Sequence, residues 1–304
     1  MTQDFTASAT LDPVLANRLK RNYSSPRTLF DGAMNIVAYG CVAIALVPLA
    51  AVLFHLFVQG AVRFGPDLFS QLAPAPNEKG GGLGNALIGT LLTVGIGSAI
   101  AVPSGIAAAI FLSEFAKGTR LASWIGFFTN VLSGVPSIVV GAFIYAIIVI
   151  PTGKSAIAGG VALAFLMLPT IVRTSTESLD LVPAEMRQAS VGLGATRFQM
   201  VSRVVLPAAF PAILTGVMLA VARASGETAP LIFTAGANAY WSTDVQKPMD
   251  TLSVLIYKFA SGSDVNQQQL AWAGPLAPRL LLGAMSPGTV QVWAVCRSTC
   301  PGRP

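Results

Sequence analysis

Two ionisable residues stand alone in a long apolar stretch. Arg223 follows an uncharged run from Val204 to Ala222, and Glu227 precedes another from Thr228 to Thr243. On a helix begun at Pro211 and rising about 1.5 Å per residue, Arg223 lies roughly 18 Å along the axis, near the middle of a hydrocarbon core about 30 Å thick. A central arginine costs roughly 2.5 to 3.5 kcal/mol even on lenient insertion scales, so its guanidinium must face protein or water. Glu227 is one turn on, on the same face, and partly neutralises it. Two readings follow. Either the pair is an internal ion pair that locks neighbouring helices, or Arg223 offers its planar donor fork to an oxyanion while Glu227 holds the fork and limits how tightly the anion binds. Arg173, at the inner end of another apolar run, would be a second positive station for an outgoing anion; the positive-inside rule alone also places a basic residue there.

Covalent chemistry is not legible. Gly153-Lys154-Ser155 has the end of a phosphate-binding loop, but Ile148 stands where its first glycine is needed. His55 lies in an apolar run with no carboxylate or cysteine near it in sequence, and Cys41, Cys296 and Cys300 make neither a zinc spacing nor a disulfide framework. No nucleophile and base stand at a working spacing. No cofactor, metal or catalytic residue is expected. Basic residues give a net charge of +6 but form no stripe with interleaved aromatics, so nucleic acid is not expected as a partner.

The elements that position the pair are membrane helices. The 304 residues are 53% hydrophobic and 11% charged, with a mean hydropathy of +0.66, where a soluble domain carries about 25% charged residues. Uncharged runs of about twenty residues recur and lack the alternation of a barrel strand, which leaves helices to satisfy the backbone in lipid. The fold class is all-α and polytopic, with five clear spans: Met34 to Val58, Asn85 to Phe111, Ala122 to Ile150, Ser155 to Val172 and Pro211 to Ala235. Residues 1–33, with Arg18, Lys20, Arg21 and Arg27, make a cytoplasmic N-terminal segment under the positive-inside rule. Glu114, Lys117 and Arg120 form a short inner turn, and Lys154 is the only charge on the next outer connection. Pro103 and Pro136 fall inside spans two and three and should bend them. Gly97, Ala101, Gly105 and Ala109 recur at four-residue intervals, a face for close helix approach.

The largest inner loop, about residues 173–207, reads Gln188-Ala189-Ser190-Val191-Gly192-Leu193-Gly194, then nine residues, then Val204-Val205-Leu206-Pro207. This resembles the EAA motif of ABC importer permeases, with Gln188, Ser190 and Val204 in place of Glu, Ala and Ile and the spacing intact. Gly134-Val135-Pro136-Ser137-Ile138-Val139-Val140-Gly141 and Arg223-Ala224-Ser225-Gly226-Glu227-Thr228-Ala229-Pro230-Leu231 resemble two segments of the Pst permeases of bacterial phosphate importers. The segment around Tyr240, Trp241 and Pro248 is nearer their PstA branch than PstC. The resemblance runs over about residues 35–274.

That resemblance implies the type I ABC importer permease fold and phosphate uptake by alternating access in the cell inner membrane. It implies a homologous PstC-like permease subunit, PstB-like ATP-binding subunits that hydrolyse the ATP, and an external PstS-like phosphate-binding protein, with membrane lipid around the chain. Two short helices separated near Gly194 would dock into the ATPase, with Gln188, Ala189, Ser190, Gly194, Leu206 and Pro207 as the coupling residues. Arg223, Glu227 and Arg173 would line the substrate pathway. Carriage of molybdate or sulfate, or a scaffold that contacts an ATPase without transport, are the alternatives. A sixth span is expected from Gln268 onward, but Pro275, Pro278 and Arg279 break it, and the atypical tail 275–304 reads as a segment translated out of frame.

Overall fold

A computed structural model describes residues 26–63 and 65–275. The basic cluster at Arg18, Lys20 and Arg21, and the expected out-of-frame segment beyond Pro275, lie outside the described residues. Those residues are helical or irregular, with no strand among them. Four helices are long and apolar enough to cross a membrane, or five if one bent pair counts as a span.

The chain divides into two compact units, residues 1–56 and 57–304. The first contains most of α1, Pro26–Ala61, which is apolar all round and long enough to cross a membrane. That is the pattern of a membrane-spanning helix. It encloses the expected first span, and its Pro48 sits inside the helix without ending it.

The second unit opens with a short helix α2, Asp67–Ser70, and α3, Gly84–Phe115, whose last turn from Phe111 is π-helical. α3 continues through Pro103, as membrane helices can where neighbours satisfy the freed carbonyl. α4, Arg120–Gly134, and α5, Ser137–Thr152, are two helices bent by 102°, where the sequence reads as one kinked span. Val135 and Pro136 between them are extended, with ψ of 128° and 135°. Proline lacks the N–H needed to continue a helix and biases the residue before it away from helical geometry.

α6, Ala156–Asp180, starts where the Ser155 side chain accepts the Ala158 N–H, and runs beyond the expected end at Val172. α7, Ala184–Gly192, follows. Gly194 takes a φ of +86°, a left-handed turn that costs glycine nothing. α8, Arg197–Ser225, then begins at a reciprocal cap between Thr196 and Gln199. The fifth span therefore starts at Arg197 rather than Pro211, and it ends early. Gly226 to Thr228 interrupt it before α9, Ala229–Thr234. α10, Leu252–Ser261, and α11, Val265–Ala273, complete the described chain.

α3 and α6 form the central pair. Gly97, Ala101, Gly105 and Ala109 are all buried, and a Cβ on Gly97 would stand 3.0 Å from the Gly160 carbonyl oxygen of α6. Apolar side chains gain little by leaving lipid for one another, so close backbone approach and dispersion hold such a pair. α8 joins the same core through Ile213, Val217 and Ala220. At the N-terminal end of α3, Leu83 and Leu87 pack with Leu252, Leu255 and Leu270 of α10 and α11.

At that end the Asp264 carboxylate accepts the backbone N–H of Asn77 at 2.6 Å and of Asn266 at 2.8 Å. These donors, Asn77 first, hold its pKa below the ordinary 3.8. A lowered carboxylate pKa contributes stability that is complete above the unfolded value and is lost as pH falls through the folded one. A spin label at Lys79 is therefore expected to be immobile at neutral pH and to loosen only below about pH 3.8, whereas Asp264→Ala, which lacks both acceptor oxygens, raises its mobility at neutral pH as well. Equal mobility across that range in the unchanged chain would exclude the pin.

Candidate functional site

The break between α4 and α5 and the break between α8 and α9 come together. A cavity of about 220 Å³ is lined by Val135, Pro136 and Ser137 of the first, by Arg223 and Glu227 at the second, and by Met167 and Thr170 of α6. Each element brings its residues for a local reason. Pro136 ends the helix path, so α5 starts at the cavity. Its cap residue, Pro136, provides no side-chain acceptor for the first N–H groups, and these, with the helix dipole, favour negative charge at that end. On the other arm of the crossing, Gly226 ends α8, and Pro230 sits in the first turn of α9, where no N–H is required. Ser253 of α10 donates to the Glu227 carbonyl oxygen at 2.7 Å and braces the second break.

Arg223 thus occupies the last turn of α8, not the interior of a span as the sequence suggests, and Glu227 lies just beyond the helix end. The structure still brings them together. Arg223 Nε is 4.0 Å from Glu227 Oε1, outside hydrogen-bond range. The Arg223 side chain is 74% exposed against 20% for Glu227, and it makes no hydrogen bond among the described residues. Its donor fork is unengaged.

Arg173 is placed differently. It lies on α6 three residues past Thr170, on the face that lines the cavity but a turn further on, and its Nε donates to Glu177 at 3.0 Å. Ser133, Ser137 and Thr170, which also line the cavity, carry no charge and sit in no spacing that marks them. The resemblance over residues 134–141 and the expected bend at Pro136 pointed to the segment that holds Ser137.

In the loop about α7, Gln188, Ala189 and Gly194 are exposed and Ser190 is half-buried, its hydroxyl donating to the Arg187 carbonyl. Val191, Leu193 and Phe198 are exposed beside them, an apolar patch of the kind that marks a protein contact. Leu206, by contrast, packs toward the core, and Pro207 is exposed on the first half of α8.

Residues 101–286, more than half of the chain, match the family described as binding-protein-dependent transport system inner membrane component. The chain is 43% identical over 239 residues to the phosphate transport system permease protein PstA of Haemophilus influenzae, covering 78% of this chain and 84% of that one. It is 42% identical over 226 residues to the protein of the same name from Yersinia pestis, covering 74% and 77%. The chain belongs to the PstA family of binding-protein-dependent permeases. A crystal form of the inward-facing MetNI methionine ABC transporter superposes with a TM-score of 0.57 at 17% identity, covering 68% of this chain and 94% of that one. At that identity the likeness is one of fold, and the fold is that of a type I ABC importer permease.

A PstA-family permease is a multi-pass inner-membrane subunit of an ABC importer, associated with an ATPase and a binding protein. Within a bilayer a guanidinium faces water or protein rather than lipid, and the Arg223 side chain is open on the surface of this chain.

Proposed function

We propose that this chain is the PstA-type half of a phosphate importer, and that Arg223, at the crossing of the two broken spans, is the station through which inorganic phosphate passes inward. The observation that carries this reading is the unengaged guanidinium. It stands 4.0 Å from its carboxylate neighbour in a cavity with room for a small anion. The planar fork matches two phosphate oxygens, and the start of α5 adds N–H groups and a favourable dipole. Glu227 subtracts from that field, which keeps the anion weakly held. A station that bound phosphate tightly would not release it. Arg173, one turn along α6, is the next positive group on the inward path.

A homologous PstC-like subunit closes the exposed side of the cavity. PstB-like subunits hydrolyse ATP, and a PstS-like protein delivers phosphate at the outer face. The N-terminus lies in the cytoplasm. The 173–207 loop docks on the ATPase through Gln188, Ala189, Ser190 and Gly194, while Leu206 and Pro207 carry the movement into α8. Closure of the ATPases shifts these elements and exposes the cavity alternately to the two sides.

Uptake of labelled phosphate into vesicles holding the assembled importer tests this. The expected result is accumulation that requires ATP and is displaced by unlabelled phosphate but not by sulfate or molybdate. No ATP-dependent accumulation by the assembled importer would remove phosphate as the cargo, and displacement by either competitor at equal concentration would remove its selectivity.

A further inference from the structure

α7, which follows α6, carries a half-buried arginine that the phosphate pathway does not use. Arg187, on α7, donates through Nη2 to Glu114 Oε1 at 2.8 Å and to the Leu179 carbonyl at 2.7 Å, and through Nη1 to the Val182 carbonyl at 2.7 Å. The Glu114 side chain is only 5% exposed and that of Arg187 20%. Three elements meet in this one guanidinium. Glu114 belongs to the π-helical last turn of α3, Leu179 to the last turn of α6, where carbonyls lack helical partners and a cation is favoured, and Arg187 itself to α7. A second tie joins the same two helix ends. Ser113 and Lys117 of the α3 end both reach Asp180 Oδ1 at 3.1 Å.

We propose that Arg187 is a positioning residue that makes α7 move as one body with the ends of α3 and α6, so that a push on α7 reaches the central helix pair. α7 also packs on the turn Val201–Val205 of α8, but that contact has no comparable charged link. The fork is essential because three acceptors in two directions are served at once; the ammonium of lysine is a point charge and cannot hold all three at these distances. Loss of either partner leaves a buried charge uncompensated. This inference rests on the reading of α7 as the ATPase-docking element.

The test uses the assembled importer in vesicles with Glu114→Gln and Arg187→Lys, and with spin labels at Phe115 and Glu185, which are exposed on the α3 end and on α7. In the unaltered protein the label separation is expected to be the same without nucleotide and with ATP trapped. In Glu114→Gln it changes between the two states, and phosphate uptake per assembled complex falls at least about fivefold, the lower end of ordinary coupling free energies. Arg187→Lys lies between. A merely structural role would lower the yield of complex and leave uptake per complex and label separation unmoved, and that result overturns the proposal. Failure of the docking reading is separate: the ATPase would then not co-purify through α7 even in the unaltered chain, as Leu193→Glu would show by leaving co-purification intact.

Discussion

Phosphate uptake in Arg223→Gln is expected to fall about tenfold or more, because a hydrogen bond to a charged group contributes about 1.5 to 3 kcal/mol and glutamine keeps neither the charge nor the fork. Arg223→Lys should fall between, since it restores the charge as a single point without the planar pair of donors. The structure separates this outcome from loss of folding. The Arg223 side chain is largely exposed and makes no hydrogen bond to the described residues, so its removal leaves no buried acceptor orphaned, and the amount of assembled complex should be unchanged. Glu227→Gln is the complement. With the carboxylate gone, phosphate should be held more tightly and turn over more slowly, so half-saturating concentration and maximal rate fall together. Uptake in Arg223→Gln equal to the unaltered importer would leave the pair with only an internal structural role.

The second large effect is steric. At the crossing of α5 and α9, a Cβ on Gly141 would stand 2.6 Å from the Cα of Pro230 and 3.3 Å from its carbonyl oxygen. These are backbone atoms, so a side chain cannot swing aside to make room. Overpacking of this kind costs about 1 to 3 kcal/mol, and here the strain acts where the two broken spans meet above the cavity. Gly141→Ala is therefore expected to lower the melting temperature of the purified complex and to cut uptake among the molecules that still assemble. Gly95→Ala is the control. Nothing lies within 4 Å of a Cβ there, and alanine favours a helix by up to about 1 kcal/mol over glycine. Equal behaviour of the two variants would show that the α5–α9 crossing yields without consequence for the site.

Gly141 also marks the boundary of what a sequence can carry. Its neighbour Pro230 lies far along the chain, and neither residue sits in a hydrophobic period that reveals the contact. By contrast, the four-residue spacing of Gly97, Ala101, Gly105 and Ala109 announces a close-packed face, and those residues do bury against α6. Regular spacing along one helix is local information. The identity of the surface that meets it is not.

Composition and runs of apolar residues were sufficient for an all-helical chain crossing a membrane several times, because a bilayer demands internally bonded segments of a set length. The motif at Gln188 to Pro207 and the segments at Pro136 and Arg223 were sufficient for the family, since each is read along the chain. Where spans break was decided by tertiary structure. Pro103 and Pro136 look alike in sequence, yet α3 continues through the first and the chain turns by 102° at the second. The start of the fifth span at Arg197 turned on a cap between Thr196 and Gln199, and its end on Gly226, so Arg223 moved from mid-helix to a helix end. The cavity itself depended on two breaks, distant in sequence, folding onto one side of α6. The partners of Arg187 were equally invisible: one carboxylate on α3, one carbonyl in the last turn of α6 and one just past it become neighbours only when the helices pack, and a largely desolvated charge is stable only where such acceptors converge.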